Sequence, residues 1–198
     1  MIFARDMTFF DWFGIFNEVT IGIAQKNYLF EKYIPNCVFY RPARLVRLLR
    51  GGKMQSTPSL MNEFGAALQF PECFGENWLA LEDCLCSLDE CKPFSELLII
   101  ISDSSCVLSE DKEAALHALL LSCYNASLWW QQPITDEYDR HNNRDSLLCR
   151  FLFVVDDPGQ REKFLKRVQR TCDLYTFPAN RFVLVKLPEN ITNQHPFR

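Results

Sequence analysis

Apolar runs mark the predicted strands of this chain. The run 95–102 is continuously apolar from 97 to 101, so it predicts a strand buried on both faces, as in a parallel sheet. Runs at 45–49, 147–155 and 181–187 predict three further strands, and Gly51-Gly52 turns the chain after the first of them.

Between these runs, apolar residues recur three and four positions apart, which is helical spacing. Pro58 suits a first helical turn, while Asn77 and Ser109 suit N-caps. The predicted helices lie at 7–17, from Ser56, from Trp78, from Ser109 towards Trp129, and at 161–170. Strands and helices in this order predict an α/β fold, a small parallel sheet packed by helices.

The composition favours a globular protein in a reducing cytoplasm. Of 198 residues, 48% are hydrophobic and 14% are aromatic, which is ample for a core. Nine cysteines is an odd number, so we expect free thiols rather than a disulfide framework. No run approaches the ~20 apolar residues of a membrane span, so neither membrane attachment nor a targeting signal is predicted.

The segment from Phe70 to Leu85, FPECFGENWLALEDCL, combines a turn, a helix start and an acidic helical face. Gly75 permits a tight turn, and Asn77 would cap a helix that begins at Trp78. The predicted buried stripe of this helix consists of Trp78, Leu81, Leu85 and Leu88. Leu79 and Asp83 lie four positions apart on another face, so we expect Glu82 and Asp83 to reach solvent or a partner.

Charge is unevenly distributed around this segment. From Glu72 to Glu96 there are seven carboxylates against one basic residue, Lys92. Taken alone, such a charge run is typical of a merely solvated surface, and it also suits a basic partner, whose association it would speed. The basic clusters at 41–53 and 161–170 lack regular aromatic interleaving, so we interpret them as solvated faces and predict no nucleic-acid binding.

Metal and enzymatic chemistry finds weak support. Cys84 and Cys86 with Cys91 lack the paired units of a zinc site, and Asp156-Asp157 is explained by a strand-to-turn transition. The chain has no glycine-rich phosphate loop. A thiol nucleophile stays open as an alternative, and the bases available to it are His117, His141 and His195. We predict no catalytic residue, no metal and no cofactor.

The segment FPECFGENWLALEDCL resembles the signature loop and helix of the barstar family of intracellular ribonuclease inhibitors. In that family the loop and helix insert into the ribonuclease active site, where carboxylates take the place of substrate phosphates. Two positions depart from the family pattern, since Leu79 replaces an acidic residue and Cys73 replaces an aromatic one. The resemblance therefore implies a partner other than barnase. The implied partner-binding residues are Glu72, Cys73, Phe74, Gly75, Glu76, Asn77, Leu79, Glu82 and Asp83.

The resemblance implies a barstar-like domain at 41–158, with an aromatic-rich N-terminal extension at 1–40 and a helix-strand extension with a tail at 159–198. The first extension is predicted to be helical, and both are expected to lengthen the sheet, cover an edge or form a homo-oligomer. The implied function is that of a cytoplasmic immunity protein that occludes the active site of a ribonuclease toxin. The alternative is an interaction or scaffold module of the same fold without a toxin partner.

Overall fold

The structure is a computed structural model that describes residues 6–8, 21–25, 44–88, 96–135, 143–177 and 181–186. The strands in these ranges are β1 (Asp6–Thr8), β2 (Ile21–Gln25), β3 (Arg44–Arg50), β4 (Glu96–Ser102), β5 (Leu148–Val155) and β6 (Phe182–Lys186). The α-helices are α1 (Thr57–Leu68), α2 (Trp78–Cys86), α3 (Glu113–Gln131) and α4 (Pro158–Tyr175). Among the described residues, none of these helices is both long and apolar enough to cross a membrane.

All strands pair in parallel, in the order β1-β6-β2-β5-β4-β3. Every residue of β5 is buried, as are residues 97–101 of β4. Parallel neighbours need crossover connections. These contain α1 and α2 between β3 and β4, and α3 between β4 and β5; α4 connects β5 to β6, which β2 separates in the sheet. The predicted α/β class, a parallel sheet packed by helices, is confirmed.

The two faces of the sheet are both buried, which explains why residues 97–101 of β4 and all of β5 except the buried Arg150 are apolar. One face forms a cluster with the helices, and its strand residues include Ile99, Ile101, Phe151 and Phe153. The alternate residues form a second cluster, which includes Leu98, Ile100, Leu152 and Val154. The signature helix α2 is thereby fixed on the first face through Leu81 and Leu85, both fully buried.

The segments outside the predicted barstar-like domain lengthen the sheet, since β6 pairs with β1 and β2. The predicted helix at 7–17 is wrong at Met7 and Thr8, which lie in β1 opposite Val185 and Lys186. Pairing with a distant strand overrides the local periodicity there. The rest of that predicted helix lies outside the described residues. The boundaries at 41 and 159 stay predictions.

The predicted N-cap Ser109 is wrong, because α3 begins at Glu113 with Lys112 as its N-cap. The residues before α3 form hydrogen bonds with another part of the chain. The Leu108 amide donates to the Met54 carbonyl at 2.7 Å. The Asp111 carboxylate accepts from the Thr57 amide at 2.7 Å and so supports the first turn of α1. A tertiary contact between two loops therefore takes the place of the local cap.

The junction between β3 and α1 is held by an ion pair. The Arg50 amide and Nε donate to Glu63 Oε1, each at 2.9 Å, and Arg50 Nη2 lies 2.7 Å from Glu63 Oε2. Arg50 holds the pKa of the nearly buried Glu63 carboxyl below its ordinary value. Next to it, a Cβ on Gly51 would overlap the Ser102 carbonyl oxygen, so only glycine fits at this close approach.

Candidate partner-binding site

The loop between α1 and α2 is anchored by aromatic side chains. Helix α1 ends with Gln69 in the left-handed conformation, at a φ of 56°. The Phe74 amide then donates to the Pro71 carbonyl at 2.9 Å, which closes a turn. The rings of Phe70 and Phe74 meet edge to face at 5.0 Å, and both pack against the core. Phe74 is thus partly buried and shapes the loop from beneath.

Asn77 is the N-cap of α2, as the sequence predicts. Its Oδ1 accepts from the Ala80 amide at 3.0 Å, and its Nδ2 donates to the Gly75 carbonyl at 3.0 Å. Glu76 between them has a φ of 48°, a conformation that side chains rarely adopt. The side-chain amide of Asn77 therefore stabilises both the turn at Gly75 and the first turn of the helix.

The faces of α2 divide as the spacing predicts. Leu81 and Leu85 are fully buried, while the side chain of Leu79 is 73% exposed. Asp83 is exposed one turn after Leu79. Trp78 is partly buried against the core. Leu79 and Asp83 consequently form the outer ridge of the helix, available to a partner.

The predicted acidic residues of the site differ in their surroundings. Glu72, Glu76 and Asp83 are exposed and form no hydrogen bond or ion pair within the described part of the chain. Glu82, in contrast, accepts from Asn125 Nδ2 at 3.1 and 3.2 Å and so joins α2 to α3. Glu82 is half-buried and held by its own chain, and its contact with a partner stays a prediction.

Two tryptophan side chains on α3 donate hydrogen bonds to the C-terminal end of α2. Trp130 Nε1 donates to the Leu85 carbonyl at 2.8 Å, and Trp129 Nε1 donates to the Cys86 carbonyl at 3.0 Å. Trp130 is fully buried, but Trp129 remains 44% exposed beside the ridge. The guanidinium of Arg144 lies 4.5 Å from the Trp130 ring and donates to the Trp129 carbonyl at 2.7 Å. The sequence patterns did not predict Trp129 as a site residue. The one sequence feature that indicated it was the adjacent pair Trp129-Trp130.

A groove lies between α2 and the loop after α1. It has a volume of about 280 Å³. We call it the Asp83 groove, and its lining includes Leu68, Phe70, Pro71, Asp83, Ser87 and Leu88. Most of these side chains are apolar, and the Asp83 carboxylate supplies the charge.

Two thiols of α2, Cys84 and Cys86, have raised pKa values. Burial, with a smaller effect of Cys73 and Asp83, raises the pKa of the Cys84 thiol. Burial raises the pKa of Cys86 to about 11, and Glu82 and Asp83 add to the effect. Both thiols are therefore protonated at neutral pH, which disfavours a role as nucleophile.

Within the described residues, no three His, Cys, Asp or Glu side chains come together as a metal site. Asp157 is the N-cap of α4 and accepts from the Gln160 amide at 2.8 Å. His117 stacks on Tyr175 with ring centroids 4.6 Å apart, and burial lowers its pKa. Cys91, His141 and His195 lie outside the described residues.

The basic clusters contribute mainly to the fold. Arg44 pairs with Glu96 at 2.7 Å, and Arg167 Nη1 donates to the Val107 carbonyl at 2.6 Å. Further ion pairs join Arg50 to Glu63, Lys166 to Glu162 and Arg170 to Glu113. The interpretation of the clusters as solvated faces does not hold for Arg44, whose side chain is buried, and the absence of nucleic-acid binding stays a prediction.

Comparison with known proteins identifies the family. The family model described as Barstar (barnase inhibitor) matches residues 44–145, just over half of the 198 residues. This chain therefore belongs to the Barstar family. The match begins with β3 and ends shortly before β5, so it contains the anchored loop, α2 and α3. No curated protein matches the chain significantly.

Solved structures of ORC proteins show a distant likeness. A chain of "Structure of Drosophila ORC bound to AT-rich DNA and Cdc6" has a TM-score of 0.45 and 15% identity, over 96% of this chain and 57% of that one. A chain of the Aeropyrum pernix ORC2 protein has a TM-score of 0.48 and 10% identity, over 90% and 43% respectively. This chain thus spans only about half the length of either. At these scores the likeness carries no argument about function.

Proposed function

We propose that this protein is a cytoplasmic immunity protein, which neutralises a cognate ribonuclease toxin by covering its active site. It acts by binding and carries out no reaction of its own. Membership of the Barstar family supports an inhibitor of this type. The seven cysteines in the described residues are all free thiols, which suits a reducing compartment.

The observation that carries the proposal is the exposed Asp83 carboxylate on the ridge of α2. From Phe70 to Leu88 there are four carboxylates and no lysine or arginine. A ribonuclease active site must attract phosphates, so its basic groups would be attracted to this surface as well. Carboxylates form strong charge-assisted hydrogen bonds with arginine and lysine. Asp83, with Glu76 and Glu72 in support, would occupy the place of substrate phosphates.

The remaining residues of the site divide into two roles in this proposal. Asn77, Gly75 and Phe74 hold the loop and the start of α2 in one conformation, which lowers the entropic cost of binding. Cys73 and Leu79 present exposed side chains to the partner. Glu82 fixes α2 against Asn125 on α3.

Leu79 supports a partner other than barnase. Its side chain is 73% exposed at the position where the family pattern has a carboxylate. An exposed leucine favours an apolar surface and leaves a cationic group opposite it without a partner. The cognate ribonuclease would therefore have an apolar contact beside its basic cleft.

The proposal is tested by calorimetric titration against a catalytically inactive nuclease encoded by a neighbouring gene, at low and high salt. We expect tight binding that weakens with salt and is lost in Asp83→Arg. Glu110→Arg is the matched control, because Glu110 is an exposed carboxylate on a different loop. Equal loss in both variants would show that net charge rather than this ridge is responsible. Unchanged binding by Asp83→Arg would place the interface elsewhere.

An interaction module without a toxin is the second candidate. It is favoured by the extension of the sheet beyond the family match, since β1, β2 and β6 lie outside residues 44–145. Such a module would bind a partner that is not a nuclease. Failure to bind any neighbouring nuclease, together with capture of a different protein that Leu79→Asp releases, would favour it.

A further inference from the structure

We infer that the outer face of α3 is the contact surface of a symmetric dimer, in which it packs against the α3 helix of a second copy of this chain. The dimer is independent of the proposed function, because the predicted partner-binding residues lie in α2 and the loop before it. Its basis is the composition of α3 and the arrangement of its exposed residues.

Helix α3 carries almost no charge. Residues 114–131 contain no Asp, Glu, Lys or Arg. In contrast, α4 has nearly the same length and carries seven such residues between Arg161 and Asp173. A surface helix normally presents charged and polar residues to water, and a helix that is apolar all round is normally covered on every side. The composition of α3 therefore indicates a helix with two covered faces.

Two seams of mostly apolar residues run along opposite sides of α3. The inner seam is buried and consists of Leu116, Leu119, Cys123, Ala126 and Trp130. The outer seam repeats at intervals of four and three residues, which is coiled-coil spacing, and consists of Ala114, Ala118, Leu121, Asn125 and Leu128. Ala114 and Leu121 are exposed, and the other three are partly exposed. The outer seam thus has the pattern of a helix–helix contact but is open to solvent.

Exposed apolar side chains continue this surface on both sides of the outer seam. On the α2 side, Trp129 is 44% exposed. On the α4 side, Tyr175 stacks on His117 and is 40% exposed, and Leu174 is 62% exposed. Asn125 is the polar residue of the outer seam, and its Nδ2 already donates to Glu82. Covering the seam would therefore leave this donor satisfied.

The occupant that fits this face is a second copy of the chain. A helix that lies on a membrane surface is rich in Lys and Arg on its polar flank, and a partner attracted by charge requires ionised residues. Residues 114–131 offer neither. A second α3 helix has the same uncharged outer seam, so neither copy would bury an ionised side chain there.

An antiparallel pair makes the outer seam self-complementary. With the two-fold axis at the level of Cys123, Ala118 of each copy lies opposite Leu128 of the other, and Leu121 lies opposite Asn125. Small side chains thus face large ones at both ends of the contact. A parallel pair would instead place Ala118 against Ala118 and leave a gap at that end. The antiparallel pair also brings the positive N-terminal end of each helix beside the negative C-terminal end of the other.

The size of the face sets the expected affinity. A helix of 19 residues is about 28 Å long and about 10 Å wide, so α3 alone offers on the order of 300 Å². A standard interface takes about 800 Å² from each partner, so the exposed residues beside the outer seam must contribute as well. We therefore expect a dimer that dissociates at micromolar concentrations.

Analytical ultracentrifugation of the full chain over a range of micromolar concentrations tests the dimer. We expect a reversible equilibrium between monomer and dimer. Leu121→Lys places a charge in the outer seam and should weaken dimerisation about a hundredfold or more. Leu48→Lys is the matched control, because Leu48 is 40% exposed against 36% for Leu121 but pairs with Ile100 on the opposite face of the sheet. A monomeric parent chain, or equal weakening by both variants, would overturn the inference.

The double variant Ala118→Glu/Leu128→Lys tests the antiparallel contact and keeps the inference falsifiable if Leu121→Lys fails to fold. Each single substitution places an unpaired charge against an apolar side chain and should weaken dimerisation about tenfold or more. The double variant pairs each new carboxylate with the new ammonium of the other copy, so it should dimerise more tightly than either single variant. A parallel contact would bring like charges together. A double variant that dimerises no better than the single variants would contradict the proposed dimer.

Discussion

The N-cap of α2 offers a direct test of what holds the outer ridge of this helix, formed by Leu79 and Asp83, in place. Helix α2 has nine residues, which is too short for a stable isolated helix in water. It therefore depends on packing through Leu81 and Leu85 and on its cap, Asn77. In Asn77→Ala, the Ala80 amide loses its acceptor and the Gly75 carbonyl loses its donor.

The expected cost of Asn77→Ala is about 1 kcal/mol of unfolding free energy. We expect no larger cost, because Asn77 is exposed. Water therefore replaces the lost partners, and no buried polar group is left unpaired. Urea unfolding measures the change, as a lower midpoint with an unchanged slope.

Asn77→Asp is the matched control. It keeps the acceptor for the Ala80 amide and places a negative charge at the positive end of the helix, so it should remain within a few tenths of a kcal/mol of the parent. It removes only the donor to the Gly75 carbonyl. The reasoning would be refuted if Asn77→Ala were as stable as the parent chain, or if Asn77→Asp were as unstable as Asn77→Ala.

Three further predictions concern the fold and the specificity of the ridge. Arg50 lowers the folded pKa of Glu63, so the stabilisation is present above the ordinary carboxyl pKa and is lost as pH falls through the folded value. Acid titration of stability should therefore be flatter in Glu63→Gln than in the parent. Gly51→Ala should cost about 1–3 kcal/mol in urea unfolding, because its Cβ meets the Ser102 carbonyl, and parental stability would contradict that close approach. Leu79→Asp should leave stability unchanged and alter the ranking of a panel of ribonucleases in binding assays, whereas an unchanged ranking would make Leu79 incidental.

Local sequence patterns predict those elements whose cause is local. The apolar run at residues 97–101 of β4 can be recognised without knowledge of its neighbours, because a strand buried on both faces is mostly apolar. The start of α2 follows from Asn77, whose cap bond spans only three residues. The separation of Leu79 and Asp83 from the buried stripe follows from helix geometry alone.

The features that sequence patterns missed depend on contacts between distant residues. β1 forms by pairing with β6, which begins more than 170 residues later in the chain. Asp111 supports α1 across 54 positions, which displaces the start of α3 from Ser109 to Glu113. The bond between Glu82 and Asn125 spans 43 positions, as does the bond from Trp129 to Cys86. Such contacts leave no periodic signal in a single sequence.

Inhibition kinetics of the cognate ribonuclease on a labelled RNA substrate test the central claim most directly. If the outer ridge of α2 occupies the active site of the ribonuclease, increasing amounts of this protein should raise the apparent KM for RNA and leave kcat unchanged. The effect should weaken with salt and disappear in Asp83→Arg but not in Glu110→Arg. A fall in kcat at constant KM, or full inhibition by Asp83→Arg, would contradict the occlusion of the active site through α2.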